Sequence, residues 1–364
     1  TALIGGGPGA IFWMWVSAFF GMSTIYAEAT LAQQYKVKKD GEVTGGPVYY
    51  IRAAFKGTFG KALAAIFAIL IVLALGFTGN MVQSNSIGAA FSEVFSARNI
   101  EIPSIVFGLI LAAVIGFIFL GGVNRLASVV EKIVPIMAGI YIVGSLVLIL
   151  MNITALPGAI KMIFVGAFNP EAVVGAGAGI AVREAIRFGV ARGLFSNEAG
   201  MGSTPHAHAR AKVENPHKQG LAAMISVFID TFIILNLTVF SILTTGVLDS
   251  GKEGTALTQA AFTKGFGNFG DIFVAVCLLF FAFSTILGWH FFGEVNVKYL
   301  FGEKAAKFYS ILVIGFVIVG STLKVQLVWS LSDFFNGLMV IPNAIALWAL
   351  SGVVVKICKQ YGKK

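Results

Sequence analysis

The chain of 364 residues is 57% hydrophobic and only 12% charged, with a mean hydropathy of +0.87, which excludes a soluble globular domain and points to a polytopic membrane protein. A net charge of +9 does not call for a nucleic-acid partner here, because in membrane proteins the placement of lysine and arginine follows orientation. Two cysteines, Cys277 in an apolar run and Cys358 near the end of the chain, imply no disulfide framework.

Uncharged runs at 1–27, 62–92, 102–124, 133–160, 231–248, 272–293 and 334–355 each approach or exceed the ~20 residues of a spanning helix. The segments 175–209 and 308–323 raise the expected number of spans to about nine. The first residue is not Met and no basic stretch leads into an apolar one, so an upstream segment is expected.

The first span, 9–35, carries Trp13 and Trp15, which suit an outer interface. Glu28, toward its inner end, is read as a partner for the basic loop 36–61, with a functional carboxylate as the alternative. A long helix near 61–96 follows, and its mid-span polar run, 78–86, is read as interhelical hydrogen-bond glue. Gln83 is set apart as a site candidate, because the repeat described below pairs it with a position beside Trp289. Spans at 103–121 and 126–152 offer little chemistry, and 156–164 reads as a short interfacial helix.

The glycine-rich run 175–179 leads into the stretch around which the chain is organised, Gly193 to Ser203, polar and punctuated by three glycines. It predicts a helix broken within the membrane, since non-helical backbone at that depth persists only where protein or a water-filled cavity satisfies it. Discontinuous helices of this kind build the midplane sites of secondary transporters. Arg183, Arg187 and Glu184 are read as anchors at the outer interface, and His206 and His208, two residues apart, cannot share a helical face as metal ligands. No metal other than sodium is expected.

The span 219–247 places Asp230 well inside an apolar segment, either as a cation ligand or as a partner within the bundle. The span 256–297 carries Ser284 and Thr285, whose adjacent hydroxyls either offer hard oxygen ligands to a small cation or bond back to their own helix. Spans 308–323 and 329–357 close the chain, with Asp333 at the mouth of the last. A cytoplasmic C-terminus places 18 of the 26 lysines and arginines inside, in 36–61, 125–132, 210–218, 298–307 and 356–364. Thr1 then lies outside.

Residues 53–69 align without a gap on 260–276, an offset of 207 that also pairs Thr78 with Thr285, Gln83 with His290 and Pro135 with Pro342. About five spans per copy is an odd number, so the second copy is inverted relative to the first. The halves are 1–155 and 156–364, and the second begins with the broken helix around 196–203. Its counterpart falls before Thr1, so the first broken helix is expected to be missing from this chain. No His-Glu-x-x-His or Gly-x-Ser-x-Gly motif supports an intramembrane enzyme, for which Glu198 with Asp230 is the one carboxylate pair to test. A channel would need a selectivity filter, and none is evident.

The motifs GGPGAIFWMW at 6–15, GGPVYYI at 45–51, GNMVQSNS at 79–86, RGLFSNEAGMGSTPHAHA at 192–209, FIDT at 228–231, FAFSTILGW at 281–289 and NGLMVIPNAIAL at 336–347 span nearly the whole chain. With them the sequence resembles the alanine/glycine:cation symporter family of the amino acid-polyamine-organocation superfamily. The resemblance implies an all-α leucine-transporter-type fold of inverted five-helix repeats in the plasma membrane of a prokaryote, with sodium-coupled uptake of alanine or glycine. Protons are the alternative coupling ion. It further implies a substrate site at Gln83, Phe195, Ser196, Asn197 and Trp289, with Ser284 and Thr285 as sodium ligands and Glu198 and Asp230 as candidates for ion binding or coupling. Freed N–H groups at the break suit a substrate carboxylate, and Phe195 with Trp289 leaves room for little beyond a methyl side chain. Beyond small molecules and the bilayer, no nucleic-acid or obligate protein partner is expected.

Overall fold

A computed structural model describes residues 1–39, 41–119, 122–168 and 178–362, and they are almost entirely helical. A short helix α1 (Ala2–Gly6) turns at Gly7-Pro8 into α2 (Gly9–Gln34). A two-stranded antiparallel hairpin, β1 (Val37–Lys39) and β2 (Glu42–Thr44), carries the chain back to α3 (Pro47–Ala54). The long helix foreseen at 61–96 runs over 57–96, as α4 (Gly57–Ile71), a π-helical stretch at 72–79, and α5 (Asn80–Ser96). Next come α6 (Ser104–Phe119), α7 (Gly122–Met151) with Pro135 inside it, and α8 (Leu156–Phe168). The glycine run 175–177 lies outside the described residues.

Beyond it, α9 (Ala178–Asn197) stops, and α10 (Pro205–Arg210) starts after the seven intervening residues 198–204. The segment 216–245 is again interrupted by π-helical turns, between α11 (Pro216–Phe228) and α12 (Asn236–Thr245). The expectation of a single span over 256–297 is corrected. Gly267 sits at φ +60 and divides α13 (Gly254–Phe266) from α14 (Gly270–Phe301), because the glycine cluster at 265–270 ends one helix and starts another. The last elements are α15 (Glu303–Thr322), α16 (Val325–Ala349), which contains Pro342, and α17 (Ser351–Tyr361).

Among the described residues, seven helices are long and apolar enough to cross a membrane, and 104–119 and 153–168 are shorter apolar helices. Large apolar side chains cover the outside of the bundle, including Phe19, Phe117, Phe308 and Trp348, the last 84% exposed. Such a surface is stable in lipid and not in water. The chain is a multi-pass membrane protein.

The polar run 78–86 divides in two. Ser84 donates to the Val317 carbonyl (2.5 Å), and Asn85 donates to those of Gly320 and Leu323 (2.9 and 2.7 Å), tying α5 to α15 as expected of interhelical glue. Thr78, Asn80 and Ser86 instead bond carbonyls of their own helix, two of them at the π-helical stretch. Trp13 and Trp15 reach across to the Ala167 carbonyl and to Asn236, so they serve packing between helices as well as any interface.

Candidate functional site

The interruption between α9 and α10 is built by three left-handed residues, Glu198 (φ +56), Gly200 (φ +95) and Gly202 (φ +79). Alternating left-handed positions prevent the chain from continuing as a helix, and Pro205 then starts the next one at its first turn. The N–H groups of residues 198–202 are spent within the protein. Glu198 N–H donates to the Leu194 carbonyl, Ala199 N–H to the Asn197 side chain and Met201 N–H to the Glu198 carbonyl. Those of Gly200 and Gly202 donate to the Glu28 carboxylate, at 3.0 and 2.8 Å.

Glu28 is therefore not a partner of the loop 36–61. It is 0% exposed, and its third donor is the Asn343 amide at 2.6 Å. Asn343 also donates to the Gly200 carbonyl (2.9 Å) and accepts from the Tyr50 hydroxyl (2.5 Å). Pro342 cannot donate to α16, and the residue beside it supplies the side chain that reaches the break.

The same break leaves three carbonyls without a hydrogen-bond donor among the described residues. Those of Phe195, Ser196 and Asn197 would accept from residues 199–201 in a continuous helix, but these N–H groups are turned elsewhere. The end of α9 is consequently a set of acceptors. The N–H groups of residues 198–202 are engaged within the protein.

Six predicted residues fall into two groups joined by the backbone of 195–198. Ser196 donates to Asp230 (2.7 Å), Thr231 donates to the same carboxylate oxygen (3.3 Å), and Asn197 donates to Thr231 (3.2 Å). Asp230 lies in the π-helical turns at 229–235, which widen the helix at this level. The Trp289 indole donates to Glu198 (2.6 Å), and Ser203 donates to the other carboxylate oxygen. Phe195 packs edge-on against Trp289, with ring centroids 5.3 Å apart. Gly79 lets Trp289 approach, because a Cβ there would lie 2.7 Å from its ring.

Gln83 is half-buried, and no hydrogen bond holds its amide among the described residues. It follows Met81 and Val82, which pack with Phe195 and Trp329. Its repeat counterpart His290 turns away from the break, stacked on Phe119 and hydrogen-bonded to Ser310. Ser284 and Thr285 both donate to the Phe281 carbonyl, at 2.9 and 2.8 Å, the back-bonded arrangement, and no oxygen from another helix joins them among the described residues.

Sequence reasoning missed the wall on the far side of Phe195. Trp329 packs on Phe195 (4.7 Å between centroids), and the Arg192 guanidinium lies over Trp329 at 4.1 Å. Arg192 is 8% exposed and pairs with Asp333 through two bonds of 2.5 and 2.8 Å. A cleft of about 430 Å³ opens beyond Trp329, lined by Tyr141, Thr238 and Phe281 among others. No local spacing signals this pair, since its two members lie 141 residues apart. His206 and His208 are structural. His206 bridges the Ser203 carbonyl and Asn296, and His208 bonds Gln219.

The profile described as the sodium:alanine symporter family matches residues 1–364. The probable sodium/glutamine symporter GlnT of Bacillus subtilis is 42% identical over 99% of this chain and 73% of its own length. The sodium/alanine symporter AgcS of Methanococcus maripaludis is 40% identical over 100% of this chain and 79% of its own. A solved structure of a mutant manganese transporter from Eremococcus coleocola shares the fold, with a TM-score of 0.57 at 15% identity over 96% of this chain and 77% of that one.

Proposed function

The chain belongs to the sodium:alanine symporter family, and from that membership we propose that it carries alanine and glycine into a prokaryotic cell across the plasma membrane, driven by sodium and alternating access. It is a transporter and not an enzyme. The observation that carries the reading is the break at 198–204, which leaves the carbonyls of 195–197 without a helical donor beside residues whose side chains pack on Trp289 and bond Asp230. Acceptors at the end of a helix, the negative end of its dipole, suit the ammonium group of an amino acid. The Gln83 amide has donors to spare for the substrate carboxylate. Phe195 and Trp289 bound the side-chain pocket, and the Glu198 carboxylate holds the indole in place.

Ser284 and Thr285 are the proposed sodium ligands, using the lone pairs that their back-bonding leaves unspent. Asp230, which accepts from Ser196 and Thr231, is the candidate for coupling ion and substrate occupancy; Glu198, already holding Trp289 and Ser203, is the weaker one. The inverted repeat of 1–155 and 156–364 is supported by positions the offset pairs. Thr78 and Thr285 each donate to the carbonyl four residues earlier at 2.8 Å, and Pro135 and Pro342 each lie inside a long helix.

The test is uptake of labelled alanine into proteoliposomes under an imposed sodium gradient, with potassium replacement and a pH gradient as separate arms, and glycine, glutamine and leucine as competitors. Accumulation above the external concentration that requires sodium, and that glycine suppresses more than leucine, is expected. Accumulation driven by the pH gradient alone would assign protons as the coupling ion. Absence of sodium-driven uptake of any small amino acid would overturn the reading, and downhill flux without accumulation would favour a channel.

A further inference from the structure

Glu28 is buried in apolar surroundings, and no lysine or arginine lies within ion-pair distance of it among the described residues. Among the described residues, its oxygens accept from the N–H groups of Gly200 and Gly202 and from the Asn343 amide. Those two N–H groups have no helical acceptor, since α9 has ended and both glycines are left-handed. Successive N–H groups turned to one point by such a conformation form an anion-binding concavity. Here the anion belongs to the chain.

We propose that Glu28 is a positioning residue for transport, a built-in carboxylate that fills the N–H cradle of the break and so holds the carbonyls of Phe195, Ser196 and Asn197 open toward the substrate. The positioning role rests on the symport reading above, whereas the cradle itself does not. Two consequences follow from the geometry. With Glu28 in place, the N–H side of the break is neutralised, and the break presents acceptors to the substrate and coupling ion. With the carboxylate removed, the cradle becomes a vacant site for a small carboxylate, because two donors and the Asn343 amide still converge on it. A loosened break would also let the Gly200 and Gly202 N–H groups compete with Gln83 for the substrate's own carboxylate.

The experiment compares the purified protein with Glu28→Ala, in formate and in chloride at matched ionic strength. In a thermal-unfolding measurement, formate is expected to raise the Tm of Glu28→Ala and to leave the parent protein unmoved. In proteoliposomes, sodium-driven alanine uptake by Glu28→Ala is expected to fall by at least about tenfold, as befits two buried donors left unpaired, and to recover several-fold with formate. Residual uptake at the parent rate, or formate without effect on the variant in both measurements, would overturn the proposal. If Glu28→Ala does not fold, Glu28→Gln replaces it. That side chain keeps one acceptor oxygen and sets an NH2 group against the cradle, so its KM for alanine is expected to rise more than its maximal rate falls, and an unchanged KM would overturn the proposal. Should the parent protein itself show no sodium-driven uptake, the symport reading fails, and the formate-dependent Tm still decides on the cradle.

Discussion

At the scale of the residue, the site turns on which polar atoms are already engaged. Trp289 donates its one N–H to Glu198, and Phe195 rests on the ring so fixed. Trp289→Phe keeps an aromatic surface and removes the donor, so the ring is free to tilt. A hydrogen bond to a charged group contributes ~1.5–3 kcal/mol, and KM for alanine is expected to rise by about tenfold or more, read from initial uptake rates. Thr285 presents a sharper choice, because its hydroxyl proton is committed to Phe281 whether or not the oxygen also binds sodium. Thr285→Ala is expected to raise the sodium concentration for half-maximal uptake, while Thr285→Ser, which retains the oxygen, keeps it near the parent value. Equal sodium dependence in all three would leave back-bonding as the hydroxyl's whole role. The residues of the break were legible because glycines and hydrogen-bonding side chains are costly in an apolar span. The role of Glu28 was not. A carboxylate next to a basic loop has an obvious partner in sequence, and only the fold reveals that its donors are backbone N–H groups 172 and 174 residues away.

At the scale of the element, the break is a backbone shape held by two glycines that do different work. Gly200 has φ +95 and its nearest neighbour to an added Cβ is 3.4 Å away, at Thr24. Gly202 has φ +79, and a Cβ there would meet the Phe67 ring at 2.8 Å and the Asn343 side chain at 3.0 Å. Left-handed backbone costs an alanine ~1–2 kcal/mol in either place. Only Gly202→Ala adds a steric conflict, against the residue that ties α16 to Glu28. Gly200→Ala is therefore expected to lower Tm modestly and retain measurable uptake, and Gly202→Ala to lower it further and abolish uptake. Equal effects would mean that backbone strain alone shapes the break. The division of 254–301 into α13 and α14 was less legible, since no proline marks the turn and the apolar run resumes directly after it. Its glycine cluster was the available signal. The pairing of Arg192 with Asp333 was invisible for a related reason, that ion pairs between helices far apart in sequence leave no local pattern.

At the scale of the molecule, hydropathy predicts about nine spans, and seven helices among the described residues are long and apolar enough to cross a bilayer, because a bilayer imposes one length on every crossing. Sidedness rests on a different asymmetry, the distribution of lysine and arginine, which no contact within the protein encodes. The two cysteines make that orientation measurable. Cys277 is buried in α14, whereas Cys358 is exposed in α17, close to the basic end of the chain. A membrane-impermeant maleimide applied to right-side-out vesicles is expected to leave the protein unlabelled. Applied to inside-out vesicles, it should label Cys358 and not Cys277. Cys358→Ser supplies the control, since residual labelling of that variant would show that Cys277 is reached instead. Labelling of Cys358 from the outside would invert the bundle and put the basic segments 36–61, 210–218 and 298–307 on the outer face.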